Sequence, residues 1–460
     1  GNKMGETDNN LYLPNGKTVV ISGDVPPQEG MAISVTTSTV PKMGAPVAIT
    51  ANGTAADAKY FTGDYSAFSA GYDSSNAKIA LGIPVAEVAD GGKYFTVQAA
   101  VDAIGVGTSE AAKAGTVKLL ADTVENVIVK QYQDITLNLN GKTLKAKGNG
   151  IAGISSHFSG GSVIVNYGAL TLTDTSDGGS GKVNGSNSAR GIYSSGTLTM
   201  AGGTVTNGKA DGDKGGGVAI DGEAATFTMT GGKITGNTAQ YGGGVYVRNG
   251  SFEISGAAAE ISDNTASVNG GGVYNYGKVS VSGGKITGNT ANSSSYGGGG
   301  IFNSGKLSVT AGEISGNAAE RSYGGGVYNA GEMTVSNGKI SGNRAKNGAG
   351  IYTAYQLTVT DGEISGNAAS TNGGVFVADG SFEMSGGKIT GNSATVEGGG
   401  VYVAEKGKFT MSAGTIANNS AARGGGVYTD GEVTMTGGTI GGSEEGAGNS
   451  AANGGGVFIY

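Results

Sequence analysis

The stretch GGGVYNYGKVSVSGGKITGNTA, residues 270–291, is one copy of a repeat that runs from about residue 162 to Tyr460. It contains three short segments of alternating apolar and polar residues, at positions 273–275, 278–282 and 285–287. Such alternation, bounded by Gly and Asn, indicates β-strands, and no segment is long enough for a helix. The first apolar residue of each copy, called the anchor below, recurs about every 27 residues, at Ile164, Ile192, Val218, Val245, Val273, Ile301, Val327, Ile351, Val375, Val401, Val427 and Val457.

Three strands per period, with no hairpin turn between them, predict coils that stack on one another rather than a meander. Equivalent strands would then pair in parallel about 4.8 Å apart, so that twelve coils would span roughly 58 Å. Val279, Val281 and Ile286 are expected to point inward and to form apolar ladders. The repeat therefore predicts an all-β protein, a parallel β-helix with three strands per coil and about 12 regular coils.

A row of charges tests this register independently. The residue before the Ile of the third strand alternates between Lys and Glu in seven successive repeats. Stacked coils bring these side chains together, where like charges would repel and opposite charges attract. We interpret the row as a structural charge ladder made of Lys233, Glu260, Lys285, Glu313, Lys339, Glu363 and Lys388.

An aromatic residue follows the anchor in ten of the twelve repeats, Val165 and Ala219 being the exceptions. If the anchors point inward, alternation along the strand places these rings outside. They would then either bind a ligand such as a sugar ring, or stack and seal one face of the helix. This aromatic column comprises Tyr193, Tyr246, Tyr274, Phe302, Tyr328, Tyr352, Phe376, Tyr402, Tyr428 and Phe458.

A column of asparagines follows the third strand. Asn tolerates the left-handed backbone conformation of a corner, and its amide is able to bond the neighbouring coil. We interpret the column as structural, and it comprises Asn237, Asn264, Asn289, Asn317, Asn343, Asn367, Asn392 and Asn418.

The composition excludes several classes of protein. Glycine accounts for 92 of 460 residues, nearly three times its usual share of roughly 7%, but six prolines and the lack of Gly-X-Y triplets exclude collagen. A hydrophobic content of 37% argues against disorder, and 29 basic against 36 acidic residues leave no basic face for nucleic acid. No apolar stretch is long enough for a transmembrane helix, so membrane insertion is not expected.

The chain has no cysteine and a single histidine, His157. Disulfides and cysteine zinc sites are therefore excluded, and any Ser-His catalysis would depend on this one ring. A cysteine-free, mildly acidic chain is typical of an extracellular bacterial protein, although residues 1–30 contain no signal peptide.

Residues 94–150 differ from the repeat. Val97, Ala100, Val101 and Ile104 share one helical face, and Thr96 is placed to cap the helix. Strand-like segments follow at 116–120, 126–130, 135–139 and 143–145. A short amphipathic helix before the first coil would cover the otherwise bare end of the solenoid.

This helix, followed by GTVKLLAD at 115–122 and ITLNLNGKTL at 135–144, resembles the start of pectate-lyase-like right-handed β-helix modules. The GGGVY and ITGN repeats are similar to those of large Gly-rich surface proteins of anaerobic gut bacteria. They are more distantly similar to the repeats of chlamydial polymorphic outer-membrane proteins. The resemblance covers about 370 residues and implies a right-handed parallel β-helix.

The resemblance also implies a domain organisation. Residues 1–85 are similar to the β-rich segment that closes such arrays, and Gly1-Asn2 is similar to the tail of an ISGN corner. Residues 86–150 would cap the β-helix formed by residues 151–460. Because the last coil stops at Tyr460, we expect either a fragment of a longer tandem protein or a filament in which copies join head to tail.

Enzymes of this fold need a local cluster of carboxylates, with or without Ca²⁺. The densest acidic group, Asp211, Asp213 and Asp221, is weighed as a metal site, but most acids are spread one per coil beside Lys. We nominate no catalytic residue, metal site or cofactor. The sequence favours a non-catalytic, extracellular structural or adhesive protein of a bacterial surface, a stalk or filament subunit. The alternatives are a carbohydrate-binding adhesin that uses the aromatic column, and a polysaccharide lyase or glycoside hydrolase.

Overall fold

The computed structural model describes residues 3–4, 7–8, 11–21, 31–42, 45–63, 68–73, 76–89, 92–442 and 448–460. The chain forms two compact units. Unit 1 comprises residues 1–145 and 168–182, and unit 2 comprises residues 146–167 and 183–460. The predicted Gly1-Asn2 corner lies outside the described residues.

Unit 1 begins with a small mixed sheet. Leu11–Leu13 pairs in parallel with Ile33–Thr37, which pairs in parallel with Phe61–Gly63. Ser69–Asp73 and Lys78–Gly82 form an antiparallel hairpin. These strands enclose an apolar core of Leu13, Val35, Ile49, Ala58, Phe61, Ala70, Ile79 and Leu81. The remaining elements up to residue 94 are the strands Lys3–Met4, Thr7–Asp8, Val47–Ala48, Ala86–Val88 and Lys93–Tyr94 and the 3-10 helix Ala55–Tyr60.

The predicted helix is present at Val97–Ala103, and its first turn is capped as the sequence indicates. Thr96 Oγ1 accepts the backbone N–H of Ala99 at 3.1 Å, and the carboxylate of Glu125 accepts the N–H of Val97 at 2.6 Å. The carboxylate and hydroxyl therefore satisfy donors that a helix start leaves free. Unit 1 continues with the strands Lys113–Leu119, Thr123–Val124, Val127–Val129, Gln133–Asn138, Thr143–Lys145 and Ala169–Thr173.

Unit 2 is a parallel β-solenoid, and every predicted anchor begins or lies within a strand of one continuous sheet. The predicted all-β, right-handed parallel β-helix is confirmed. In this sheet, called the anchor sheet, Val273 pairs in register with Ile301 and Ile301 with Val327. Its strands in unit 2 are Ser162–Asn166, Arg190–Ser194, Val218–Ile220, Val245–Val247, Val273–Asn275, Ile301–Asn303, Val327–Asn329, Ile351–Thr353, Val375–Val377, Val401–Val403, Val427–Thr429 and Val457–Ile459.

The second and third predicted strands of each coil form two further parallel ladders. The second strands are Thr197–Met200, Thr226–Met229, Ser251–Ile254, Lys278–Val281, Lys306–Val309, Glu332–Val335, Gln356–Val359 and Glu432–Met435. The third strands are Lys182–Asn184, Thr204–Thr206, Lys233–Thr235, Glu260–Ser262, Lys285–Thr287, Glu313–Ser315, Lys339–Ser341, Glu363–Ser365 and Thr439–Ile440. In two coils the second and third strands merge into Ser381–Thr390 and Lys408–Ala417.

Eight described coils add a fourth strand, which the sequence pattern did not predict. It follows the asparagine column and forms an eight-stranded corner sheet. Because these strands contain mostly small and polar residues, they lack the apolar alternation by which the other three were recognised. They are Lys209–Lys214, Thr238–Tyr241, Thr265–Asn269, Thr290–Ala291, Ala318–Tyr323, Arg344–Asn347, Ala368–Asn372 and Ser393–Ala394.

The asparagine column is a continuous internal ladder. Asn264 Nδ2 donates to Oδ1 of Asn289 at 2.9 Å, and the same bond at 2.8–3.0 Å links each successive pair from Asn237 to Asn449. The ladder asparagines from Asn237 to Asn419 have no exposed surface. The ladder therefore satisfies buried polar groups of every coil it passes.

The sequence placed one member of this ladder wrongly. Asn418 is exposed, and Asn419 instead occupies the ladder position. From Asn237 to Asn419, the left-handed corner conformation belongs to the residue before each ladder asparagine, which is usually Gly, as at Gly288 with a φ of 66°. Asn418 takes that position with a φ of 57°, because Asn is one of the few other residues that adopt it readily.

The glycines before each anchor are required by close contact between coils. Gly270 has a φ of 69°, which residues with a Cβ rarely adopt. A Cβ on Gly271 would lie 2.5 Å from the carbonyl oxygens of Gly299 and Thr290. The Gly-Gly-Gly motif therefore lets the backbones of neighbouring coils approach at this corner.

Candidate functional site

The aromatic column is a stack of parallel rings on the anchor sheet. Tyr274 and Phe302 lie 4.6 Å apart between ring centroids with an interplanar angle of 18°, and Phe302 and Tyr328 lie 4.9 Å apart at 5°. From Tyr246 to Phe458, every neighbouring pair is stacked at 4.6–5.3 Å. In-register strands carry the rings at the separation of the strands, so the rings pack face to face.

Of the two alternatives for the aromatic column, the stacked arrangement describes these rings, and their faces are not open to a ligand. Tyr274 is only 5% exposed and Phe302 6%, because neighbouring rings cover both faces of each ring. Tyr193, Tyr246, Tyr328, Tyr402 and Tyr428 are buried as well, and Tyr352 and Phe376 are partly buried. Burial raises the pKa of Tyr352 and that of Tyr428 to about 12. The column therefore offers ring edges and hydroxyls to its surroundings, rather than free ring faces.

A distant loop fills the gap that Ala219 leaves in the column. Phe158 lies edge-on to Tyr193 at 5.5 Å and edge-on to Tyr246 at 5.9 Å, the two rings that flank the position of Ala219. It is only 2% exposed. Residues 151–161, called the clasp below, thus supply the ring that the anchor strand lacks.

Arg190 holds the clasp in place from a fully buried position. Its Nη2 donates to Asp213 Oδ2 at 3.0 Å and its Nη1 to the carbonyl of Gly160 at 3.1 Å, while its guanidinium carbon lies 4.9 Å from the ring centre of Phe158. Asp213 in turn accepts the backbone N–H of Gly160 at 2.9 Å. A buried charge needs this complete set of partners.

Asp221 is a second attachment point for the clasp. Its Oδ2 accepts the hydroxyl of Ser155 at 2.9 Å and that of Tyr193 at 3.1 Å, and its Oδ1 accepts Arg248 Nη1 at 3.0 Å. Burial alone would raise its pKa, but the hydrogen bonds from Arg248, Ser155 and Tyr193 outweigh it and lower the pKa of Asp221. The pKa of Tyr193 is raised to about 12, mainly by burial and secondly by the negative charge of Asp221.

The predicted acidic group is divided between these attachment points. Asp213 bonds Arg190, and Asp221 bonds Arg248; the side chain of Asp211 lies outside the described part of the chain. Within that part, no three His, Cys, Asp or Glu side chains are grouped closely enough to hold a metal. His157 Nδ1 lies 3.8 Å from Asp221 Oδ2 and 3.2 Å from the hydroxyl of Ser155, in the clasp.

A slot lined by tyrosines opens beside the aromatic column. Its volume is about 610 Å³, and its floor is formed by the edges of the column rings from Tyr246 to Tyr328. Tyr276, 52% exposed, stands on one side and accepts the hydroxyl of Tyr274 at 2.9 Å. Tyr296, 53% exposed, belongs to the corner loop 292–297 and meets Tyr328 edge-on at 5.7 Å. Both of these rings present open faces that the column rings do not.

A second groove, of about 660 Å³, runs over the next corner. Tyr276 and the 55% exposed Tyr355 stand at its sides, and Lys306 and Glu332 on its wall are paired at 2.9 Å. Lys278 also lines it and is the register partner of Lys306. This groove is therefore more strongly charged than the tyrosine slot.

The residues of the charge ladder are register partners in succession along the third ladder of strands, from Lys233–Glu260 to Glu363–Lys388. Ion pairs within 4 Å join Lys233 to Glu260 at 3.0 Å and Lys339 to Glu363 at 3.9 Å. The other members, Lys285, Glu313 and Lys388, complete the alternation, so each charge has only opposite charges as its ladder neighbours.

Four residues of the clasp and the slot were not predicted from the sequence: Phe158, Arg190, Tyr276 and Tyr296. Arg190 could have been recognised, since it occupies the position of the second glycine in Gly-Gly-Gly-Val, where a long side chain is unexpected. Tyr296 could have been recognised because it lies in a longer corner, residues 292–297. The sequence gives no indication of the role of Phe158, because its contact with Tyr246 joins positions far apart in the chain.

Comparison with known proteins supports the fold. A family model described as a right handed beta helix region matches residues 243–402, just over a third of the chain. No curated protein and no solved structure gives a significant match. In the described residues, no helix has the length and apolar character needed to span a membrane. The class of protein defined by these findings is the right-handed parallel β-helix.

Proposed function

We propose that this chain is a non-catalytic extracellular structural protein, a rigid stalk on a bacterial surface similar to the Gly-rich repeat proteins named above. The observation that carries the proposal is the unbroken asparagine ladder from Asn237 to Asn449, parallel to the stacked aromatic column. Every coil of this part is tied to the next by side chains as well as by strands. Such regular coupling favours a stiff rod over a set of independent coils.

The charge distribution is consistent with this role. Acidic side chains on the strand faces lie beside lysines of neighbouring coils, as in Lys306–Glu332 and Lys408–Glu432. These exposed pairs contribute little individually, but they bring opposite charges together on neighbouring coils. Polysaccharide cleavage, glycan binding through the aromatic column and head-to-tail association of copies remain untested predictions.

The stalk proposal is tested by pulling the full chain from its two ends in single-molecule force spectroscopy. We expect resistance to force and stepwise release of single coils. One coil of about 27 residues, extended to about 3.4 Å per residue, gives steps of roughly 90 Å. Extension at low force without steps would contradict the proposal. Protease treatment of intact producing cells should also remove the protein if it is displayed outside.

A further inference from the structure

We propose that two copies of this chain associate side by side and antiparallel, through the face that carries the charge ladder. This lateral contact goes beyond the proposed stalk function and differs from the predicted head-to-tail joining of ends. The face is formed by the second and third strands of the coils, which continue into one another as single strands at Ser381–Thr390 and Lys408–Ala417. The partner is a second copy because the charge ladder is complementary to itself.

The third strands of the ladder coils form an even surface. Each of them carries one charge and one outward hydroxyl, such as those of Thr287 and Ser315, which are partly buried. Glycines flank the strand Lys285–Thr287 on both sides, so the adjoining corners are small as well. A second sheet therefore has room to pack against this face at the usual separation of about 10 Å, a distance that Lys and Glu side chains bridge together.

Three charges of the ladder are open to another molecule. Two neighbouring pairs of the ladder lie within 4 Å of each other, as described above. Among the residues that the structure describes, Lys285, Glu313 and Lys388 form no ion pair within this distance. Lys285 and Lys388 are exposed, and Glu313 is partly exposed. Opposite charges on a second copy would therefore find partners here.

Antiparallel packing matches the ladder to itself. A two-fold axis that runs along the strand direction, between the coils of Glu313 and Lys339, brings Glu313 of each copy opposite Lys339 of the other. These two residues are the central pair. Moving outward one coil at a time, the facing residues are Lys285 with Glu363 and Glu260 with Lys388. The symmetry repeats each of the three contacts, which gives six pairs of opposite charge in a closed dimer.

The second strands favour this position of the axis over the neighbouring one. Lys306 and Glu332 lie on the two coils of the central pair, so the same axis brings them opposite each other. An axis moved by one coil toward the N-terminal end would instead set Lys278 against Lys306, and like charges that face each other oppose association. In the favoured position the like pair Glu253 and Glu383 lies at the two ends of the contact, away from its centre.

The size and the period of the face fit a second copy. Six coils at about 4.8 Å, each with ten residues of strand at about 3.3 Å, give roughly 900 Å² per copy, close to the share of about 800 Å² in a standard interface. Like charges of the ladder recur every second coil, about 9.6 Å apart, and a partner needs the same rise to stay in step with them. Because the matched groups are charged and exposed, the association should be weak and sensitive to salt.

Sedimentation velocity of the full chain at about 10–200 µM tests the proposal. We expect a reversible dimer in about 20 mM salt and a monomer in about 1 M salt, where the screening length is about 3 Å. Glu313→Lys should weaken dimerisation about tenfold or more, because it sets like charges against each other twice at the centre of the contact. Glu405→Lys makes the same change of charge at an exposed turn residue outside the six facing coils and should leave the dimer intact.

Mixing variants identifies the facing residues. Chains with Glu313→Lys and chains with Lys339→Glu should each dimerise poorly, whereas their mixture should regain the dimer, because the central pair is then complementary in both contacts. Lys285→Glu is the matched control, since Lys285 and Lys339 are both register partners of Glu313 within the chain. In the dimer, however, Lys285 faces Glu363, so a mixture of Lys285→Glu with Glu313→Lys should restore little.

Several outcomes would overturn the proposal: monomers at every concentration in low salt, a dimer unaffected by Glu313→Lys, or equal rescue by Lys285→Glu and Lys339→Glu. Open-ended fibres in place of the dimer, unchanged by Glu313→Lys, would indicate end-to-end joining and would also overturn it. Circular dichroism verifies that each variant is folded, and either member of the central pair tests the contact if the other variant fails to fold. Unfolding of single chains under force does not depend on dimerisation, so the stalk and the lateral contact fail separately.

Discussion

The side-chain amide of Asn289 donates to Oδ1 of Asn317 at 3.0 Å, and the backbone N–H of Asn289 donates to the same oxygen at 2.9 Å. Asn317 Nδ2 in turn donates to the carbonyl of Ile286 at 2.9 Å. Both of these groups belong to the preceding coil, and Asn317 Nδ2 also donates to Oδ1 of Asn343 on the following coil at 3.0 Å. The arrangement repeats along the ladder. Each ladder asparagine therefore lies at a corner of its own coil and forms hydrogen bonds with the neighbouring coils.

Replacing Asn317 with Ala should lower the free energy of unfolding by about 2–4 kcal/mol, since two buried donors of Asn289 lose their acceptor. Thermal or urea unfolding of the full chain measures the effect. Asn292→Ala is the control, because Asn292 is an exposed asparagine off the ladder, and it should change stability by less than about 0.5 kcal/mol. Equal effects of the two substitutions would show that the ladder does not stabilise the coils.

The repeat was predictable from sequence because its strand signals are local and recur at a regular period. The alternation within each strand and the capped helix depend on residues a few positions apart, and Thr96 caps the helix as expected. The anchors and the alternating charges recur about every 27 residues. The position of Asn418 was misread because two asparagines stand together, and only the coil geometry shows that the first replaces a glycine. Burial of the column rings also required the structure, since alternation along one strand does not show what neighbouring strands cover.

Phe158→Ala should loosen the clasp and expose the start of the aromatic column. Removing a ring of this size from a buried position costs about 3–5 kcal/mol, and the loss should be local. We expect faster proteolysis within residues 151–161 and a lower melting temperature. An unchanged cleavage rate would mean that Arg190 and Asp213 hold the clasp without the ring. Val106→Ala, at an exposed apolar residue of unit 1, controls for general effects of truncation.

The clasp should weaken in acid. The folded-state pKa of Asp221 is lowered, so its contribution to stability is complete above the unfolded pKa, near 4, and is lost as pH falls through the folded value. The groups that face it are Arg248, Tyr193, Ser155 and His157.

Asp221→Asn should therefore destabilise the clasp at pH 7. It should also reduce the further loss of stability that occurs as the pH falls from 5 to 2. Hydrogen bonds to a charged group are worth about 1.5–3 kcal/mol each, which sets the scale of the effect at neutral pH. Melting temperatures of both proteins across this pH range measure it. An identical pH dependence in the two proteins would show that other carboxylates account for acid sensitivity.

The charge ladder predicts an effect of a single reversed charge that depends on salt. Glu313 is the register partner of Lys285 on one side and of Lys339 on the other. Glu313→Lys would place three like charges in succession and should destabilise the solenoid by about 0.5–1 kcal/mol at low ionic strength. Because Lys285 and Lys339 are exposed and Glu313 is partly exposed, the loss of stability should shrink as salt screens the repulsion.

Glu405→Lys makes the same change of net charge at an exposed turn residue outside the ladder. Comparing unfolding of the two variants at low and high salt separates repulsion within the ladder from the change in net charge. The ladder interpretation requires Glu313→Lys to be the more destabilising variant at low salt, with most of the difference removed at about 1 M salt, where the screening length is about 3 Å. If both variants behave alike at low salt, the alternation of Lys and Glu does not contribute to the stability of the stacked coils.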